Sequence, residues 1–345
     1  MRSIPQLSVV VPVYNGGAQL EQCLDALLAS DFSDYEIIIV DDNSSDGSGE
    51  RCLARGVEVI KLASRLGPAA ARNCGAERAR AELILFVDAD VTVRRTTLGS
   101  VAAFFRERGN VAALFGSYDD EPEAVNFVSQ YKNLLHHFVH QRSSQKAATF
   151  WAGCGAIRRE AFEAVIGFDE TTYSRPSIED IELGSRLRRK GFTIVLDRDL
   201  QVKHLKRWTF LSLIRTDIFS RALPWSQLIA KEGGIIDDLN LRVSDRISAM
   251  LSAFALALLV LSYFYAALLA GAAVALTVVF LLNLPLQRFF RERRGVRFSA
   301  CSFAMLVLYY LYSGAVFTLV HCSSVLKNSV RRGLSAAKRE RTNDA

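Results

Sequence analysis

Glu82-Leu-Ile-Leu-Phe-Val-Asp-Ala-Asp90 is an apolar run that ends in two carboxylates one residue apart. A short continuous apolar run bounded by polar residues reads as a buried strand. If the chain stays extended through Asp90, alternation sets Asp88 and Asp90 on one face, roughly 6.5 Å apart. Such a pair suits a hard divalent cation, Mg²⁺ or Mn²⁺, which takes oxygen ligands and shares them with substrate phosphates. Solvated turn aspartates have the same pattern, so the surroundings decide between the two.

Upstream, residues 7–13, 36–40 and 57–62 read as further strands, and 17–30 and 69–81 as helices. Strands that are apolar throughout, alternating with helices, predict an α/β fold with a mostly parallel sheet covered on both faces. Ligands of such sheets bind outside the carboxyl ends of the strands. Tyr14-Asn15, Asp41-Asp42-Asn43 and Asp88-Ala89-Asp90 all fall at such ends and predict one site.

Downstream, residues 149–157 form a small-residue stretch ahead of a helix starting near Arg159, and Gly167-Phe168-Asp169 reads as a turn. A helix over 178–191 opens with Glu179-Asp180, where acidic residues also favour the helix dipole. A late strand over 192–196 leads to His204. His136, His137 and His140 share a helix, either as a second set of metal ligands or as a polar face.

The 345 residues are 50% hydrophobic and 23% charged, with a mean hydropathy of +0.16. The excess apolarity is concentrated in residues 247–287 and 298–326, neither of which contains Asp, Glu, Lys or Arg. A span needs about 20 apolar residues, so the first run accommodates two helices and the second one. Arginines flank these runs at 288, 291, 293, 294 and 297, and basic residues recur from Lys327 to Arg341. Positive charge beside apolar spans suits an anionic inner leaflet, so the net charge of +6 points to membrane and not to nucleic acid. A re-entrant break near Gly314 would bring the basic tail back to the inner side.

Met1 to Gln6 runs straight into a strand pattern, so no signal peptide is expected and residues before Ile247 should stay cytoplasmic at the cell (inner) membrane. Six cysteines without a C-x-x-C pair fit free thiols. Between the two regions, Leu211, Ile214, Ile218, Trp225, Leu228 and Ile229 recur at helical spacing among basic residues. They read as interfacial helices, which Pro224 should divide. The expected division is a catalytic domain over 1–205, interfacial helices over 206–246, a transmembrane region over 247–326 and a basic tail over 327–345.

Val11-Pro-Val-Tyr-Asn15, Val40-Asp-Asp-Asn-Ser-Ser-Asp-Gly47, Ala71-Arg-Asn73, Asp88-Ala-Asp90 and Glu179-Asp180 together resemble the family 2 inverting glycosyltransferases. That resemblance implies a GT-A nucleotide-diphospho-sugar-binding domain. It places Pro12 and Tyr14 in the nucleoside pocket, Asp42 or its neighbour Asp41 on the base, and Arg72 near the diphosphate. Asp88, Asp90 and His204 would hold the divalent metal, Asp180 would be the general base, and Glu179 would support it. Processive relatives carry a Q-x-x-R-W motif. Here Arg221-Ala-Leu-Pro-Trp225 stands at the corresponding place, which makes Trp225 a candidate acceptor contact.

The resemblance thus implies transfer from a nucleotide-diphospho-sugar, a UDP-sugar by preference, to a hydroxyl of a lipid, glycolipid or glycan at the membrane. Two other readings make different predictions. A polyprenyl-phosphate glycosyl synthase has an anionic acceptor and needs no base, and a non-catalytic membrane scaffold would bind no donor.

Overall fold

Strand β1 (Leu7–Val13) is buried on both faces, and strand alternation divides its side chains between two cores. Val9 and Val11 join one core with the helices Gly17–Leu28 and Thr97–Glu107, while Val10 joins the other with Pro68–Arg78 and Glu179–Arg189. The same division holds in β4 (Leu83–Val87), where Leu85 and Val87 enter the first core and Ile84 and Phe86 the second. Phe86 is fully buried against Phe162 and Phe168, with ring centroids at 5.6 and 5.2 Å. Deleting a ring so placed costs about 3–5 kcal/mol.

The computed structural model describes residues 4–232 and 242–343, with side chains through Ser324. Residues 233–241 of the expected interfacial stretch, and the side chains of the basic tail, lie outside the described residues. The chain divides into two units, Met1–Leu213 and Ile214–Ala345.

In the first unit β2 (Tyr35–Asp41) and β3 (Glu58–Lys61) precede β4, and β5 (Val91–Thr92), β6 (Ala113–Tyr118), β7 (Cys154–Arg158) and β8 (Ile194–His204) follow it. They form one sheet in the order β3-β2-β1-β4-β7-β6-β8-β5. The first four strands are parallel, as their apolar runs predict. The parallel half ends there, because β7 runs antiparallel between β4 and β6. Residues 150–153 lie at the carboxyl end of β4, so β7 starts at that edge and runs back down the sheet. The late strand is longer than 192–196, reaching His204, which pairs with Val91.

Strand alternation stops at Val87. Asp88-Ala89-Asp90 is a turn in which the Val91 N–H donates to the Asp88 carbonyl at 3.1 Å. The extended-chain geometry expected for the two carboxylates therefore does not apply, and each meets different neighbours.

The second unit begins differently from expectation. Pro224 does not break the pattern, since a π-helical segment, Thr216–Ala222, leads directly into the helix Leu223–Glu232. The wider turn accommodates a proline that donates no N–H in the first turn of that helix. Val243–Leu261 and Val296–Ser324 are long and apolar enough to cross a membrane. Leu268–Leu282 and Leu284–Arg294 meet at a 72° bend and count together as a third span at most. With 15 residues, Leu268–Leu282 is roughly 22 Å long, short of a hydrocarbon core of about 30 Å. Its end coincides with Pro285 and with Asn283, whose side chain donates to the Ser248 hydroxyl at 3.1 Å. The helix continues through Gly314, so the re-entrant break that would have returned the tail does not occur there.

Gly184 shows how closely the first unit is packed behind the site. A Cβ at this position would lie 2.3 Å from the Phe150 backbone nitrogen, so only glycine lets the helix Glu179–Arg189 approach the 149–150 backbone. Gly184→Ala is expected to destabilise the unit by about 1–3 kcal/mol, lowering Tm by roughly 2–10 °C in thermal unfolding. An unchanged Tm would show that this contact is not tight in solution.

Candidate active site

The polar ends of β1 and β2 are stitched together before any ligand arrives. Asn15 adopts a positive φ of 51°, a conformation asparagine tolerates better than most residues. Its N–H donates to the Ser44 hydroxyl at 2.9 Å, and its side-chain oxygen accepts from the Ser45 N–H at 2.9 Å. Asp41 is fully buried inside this turn and accepts from the Ser44 N–H at 2.8 Å, so it organises the turn from within. Asp42 reaches the next loop instead, where its two oxygens accept from the Leu66 and Gly67 N–H groups at 2.6 and 2.8 Å. Above them the exposed Tyr14 ring carries the Arg65 guanidinium at 3.7 Å. Pro12 is half-buried on β1 beside Val40.

Arg72 joins the β4 end to the helix that opens at Glu179. Its guanidinium donates to Asp88 Oδ1 at 2.7 Å and to Glu179 Oε1 at 2.9 Å. It is 5% exposed. Burial opposes its charge, but Asp88, Glu179 and Asp180 more than offset this, so its pKa rises further above the ordinary arginine value. Glu179 is also buried and takes the Ser177 N–H on its other oxygen at 2.9 Å.

Asp90 faces the end of β8. Its Oδ2 lies 3.7 Å from His204 Nε2, and its carbonyl accepts from the Leu205 N–H at 2.8 Å. Burial alone would raise the Asp90 pKa, but the His204 imidazole and the Lys206 charge bring it below the usual carboxylate value. His204 is buried and stacks on Tyr118, with centroids 4.1 Å apart and the planes within 13°.

Asp180 is half-buried at the same sheet edge. Its Oδ2 accepts from the Ala152 N–H at 3.2 Å, and its Oδ1 from the Ile181 N–H at 2.8 Å. Burial, and then the Glu179 charge, raise its pKa to about 7 against the opposing pull of Arg72. A carboxylate poised there can take a proton at neutral pH.

The donor chemistry here fits Mg²⁺ or Mn²⁺. Asp90 and His204 are near neighbours without a direct hydrogen bond, and Asp88 has only one oxygen held by Arg72. Among the described residues no group of three His, Cys, Asp or Glu is preassembled around a metal position. Mg²⁺-type ions usually take only one or two protein carboxylates and complete their shell with phosphates and water.

The expected residues thus fall into three linked groups: Pro12, Tyr14, Asp41 and Asp42; Arg72, Asp88, Glu179 and Asp180; and Asp90 with His204. Trp225 lies in the second unit, half-buried on Leu223–Glu232. Arg72 sits between carboxylates as a clamp, a role its position in a helix-like segment does not announce. Arg65, Tyr118 and Trp151 escape sequence reasoning, since each acquires its place only through long-range contacts. His137 and His140 turn their Nδ1 atoms to the Tyr118 and Gly116 carbonyls, which accounts for two of the three clustered histidines. Burial lowers the His140 pKa to about 4 and keeps it neutral.

Comparison with known proteins agrees with this architecture. Residues 8–166 match the model of Glycosyl transferase family 2. Glycosyltransferase GlyG of Streptococcus pneumoniae is 33% identical over 126 residues, 35% of this chain and 42% of that protein. The chain therefore spans less than half the length of that curated relative. The mannosyltransferase PcManGT of Pyrobaculum calidifontis, in complex with GDP-Man and Mn²⁺, superposes with a TM-score of 0.58 at 18% identity, covering 92% of this chain and 88% of that one. S. aureus TarS 1–349 in complex with UDP-GlcNAc gives a TM-score of 0.51 at 19% identity over 95% and 92% of the two chains. The GT-A sheet and the ordered acidic turns agree with the family match, so residues 8–166 are similar to Glycosyl transferase family 2.

Proposed function

We propose that this chain is a membrane-anchored inverting glycosyltransferase that moves a sugar from a nucleotide-diphospho-sugar, a UDP-sugar by preference, to a hydroxyl of a lipid, glycolipid or glycan. The observation that carries this reading is Asp180. Two backbone N–H groups hold its carboxylate half-buried beside Glu179, at the sheet edge that bears Asp88 and Asp90. A hydroxyl is a poor nucleophile at neutral pH, and a raised carboxylate within reach relieves it of its proton as it attacks.

In this mechanism Tyr14 and Arg65 flank the base, and Asp42 accepts a hydrogen bond from it. Asp88, Asp90 and His204 would hold Mg²⁺ or Mn²⁺. When bound, the ion offsets the negative charge that develops on the departing nucleoside diphosphate. Arg72 fixes Asp88 and pairs with Glu179, and the Glu179 charge in turn raises Asp180. Attack on the face opposite the leaving group inverts the anomeric centre. The apolar helices of the second unit anchor the protein where lipid-linked acceptors reside, with the catalytic domain on the cytoplasmic side.

Purified protein with Mn²⁺, a panel of UDP- and GDP-sugars and a membrane lipid extract should yield a glycosylated product by mass spectrometry. EDTA should stop it, and Asp90→Asn should lower turnover by about 10² or more. No turnover across the panel would refute the proposal.

Asp180→Asn is expected to reduce transfer to a hydroxyl by ~10²–10⁴. A polyprenyl-phosphate synthase would lose little, because its acceptor is already an anion. The base must be ionised to act, so kcat/KM should fall as pH drops below about 7. Glu179→Gln removes a charge that raises Asp180, so this acid limb should move to lower pH. A pH–rate profile unaffected by Glu179→Gln would separate the limb from Asp180.

A further inference from the structure

We propose that the partly buried indole of Trp151 is the seat for a sugar ring of the acceptor, so that the acceptor is a glycoside or glycan and not a bare lipid phosphate. This rests on the transfer reading above and deepens it.

Ala152 donates its N–H to Asp180 Oδ2 at 3.2 Å, and the Gly153 carbonyl accepts from the Asp88 N–H at 3.2 Å. The segment is therefore tied at once to the carboxylate assigned to the acceptor proton and to the backbone of Asp88, whose side chain is assigned to the leaving group. An acceptor whose hydroxyl reaches Asp180 is brought beside Trp151.

The indole is fixed in place. It packs against both apolar cores and lies so close to Gly153 that a Cβ there would come within 2.3 Å of its Cζ2. Tyr118 meets it edge-on at 4.8 Å and 84°, and His136 approaches at 5.1 Å. Tyr118 also stacks on His204, so one aromatic wall runs from the proposed metal site to the indole.

The chemistry of that wall selects the occupant. An aromatic face carries negative quadrupole charge and attracts the polarised C–H groups on the flat side of a pyranose. The same face repels a phosphate, as does the Asp180 carboxylate nearby. Arg72 is already committed to two carboxylates, and His140, in edge contact with the indole at 5.7 Å, is uncharged. A polyprenyl chain needs no rigid, oriented platform beside the base.

The test uses the full-length protein in detergent with UDP and Mn²⁺, read by saturation-transfer NMR. The probes are methyl glucoside, galactoside, mannoside and N-acetylglucosaminide, with citronellyl phosphate as the lipid-phosphate probe. Ring protons of at least one glycoside should receive saturation. The Trp151→Ala protein should bind that glycoside about 10-fold more weakly, and Trp151→Phe should restore most of the signal. Gly153→Ala, which keeps the indole but displaces it, should weaken binding in the same direction. Calorimetric titration of each variant with UDP and Mn²⁺ verifies that the domain is folded.

Donor hydrolysis by the wild-type protein separates two kinds of failure. Hydrolysis with no glycoside signal, with a signal indifferent to Trp151→Ala, or with saturation of citronellyl phosphate alone overturns this inference and leaves the transfer reading intact. Absence of hydrolysis and of UDP binding removes that reading, and this inference falls with it.

Discussion

A single buried guanidinium holds the first unit's acidic edge together. Arg72 lies between Asp88 and Glu179 with almost no exposure, and each partner comes from a different part of the chain. Removing one member of a buried ionic group leaves the others uncompensated, at a cost of about 3–5 kcal/mol. The arrangement is therefore retained as a unit. It fixes the end of β4 against the first turn of the helix that carries Asp180, two elements that share no strand pairing.

The clamp also distributes charge. Asp90 and Asp180 are both carboxylates at one sheet edge, yet their environments move their pKa values in opposite directions. His204 and Lys206 outweigh burial at Asp90 and lower its pKa, whereas burial and Glu179 outweigh Arg72 at Asp180 and raise it. Carboxylates separated in this way serve different purposes. In the proposed reaction one remains a permanent anion for cation binding, and the other changes protonation within the neutral range.

Much of this was legible in the residues themselves. The apolar runs of β1 and β4 need burial on both faces, so they imply the parallel half of the sheet, and the acidic turns follow at its carboxyl edge. What escaped was set by contacts between distant segments. The direction of β7 depends on where residues 150–153 are tied down, which no local periodicity records. The turn at Asp88-Ala89-Asp90 likewise follows from neighbours elsewhere in the chain, Gly153 and Leu205. Pro224 behaves as a helix-starting residue because the preceding π turn makes room for it. Trp151 stood in a stretch notable for small residues, and the role proposed for it comes from Ala152 reaching the Asp180 carboxylate and Gly153 the Asp88 backbone.

The double tether at Ala152 and Gly153 has a practical consequence for redesign. This loop cannot be exchanged between relatives as an independent cassette to obtain a new glycan specificity. Its backbone supplies a hydrogen bond to Asp180 and accepts one from Asp88, and the neighbouring 149–150 backbone touches Gly184 in the helix behind it. A graft that ignores these partners alters the hydrogen bonding that tunes Asp180 and the backbone position of Asp88. The transferable piece must include, with the loop, β7, the end of β4 at Asp88 and the helix Glu179–Arg189.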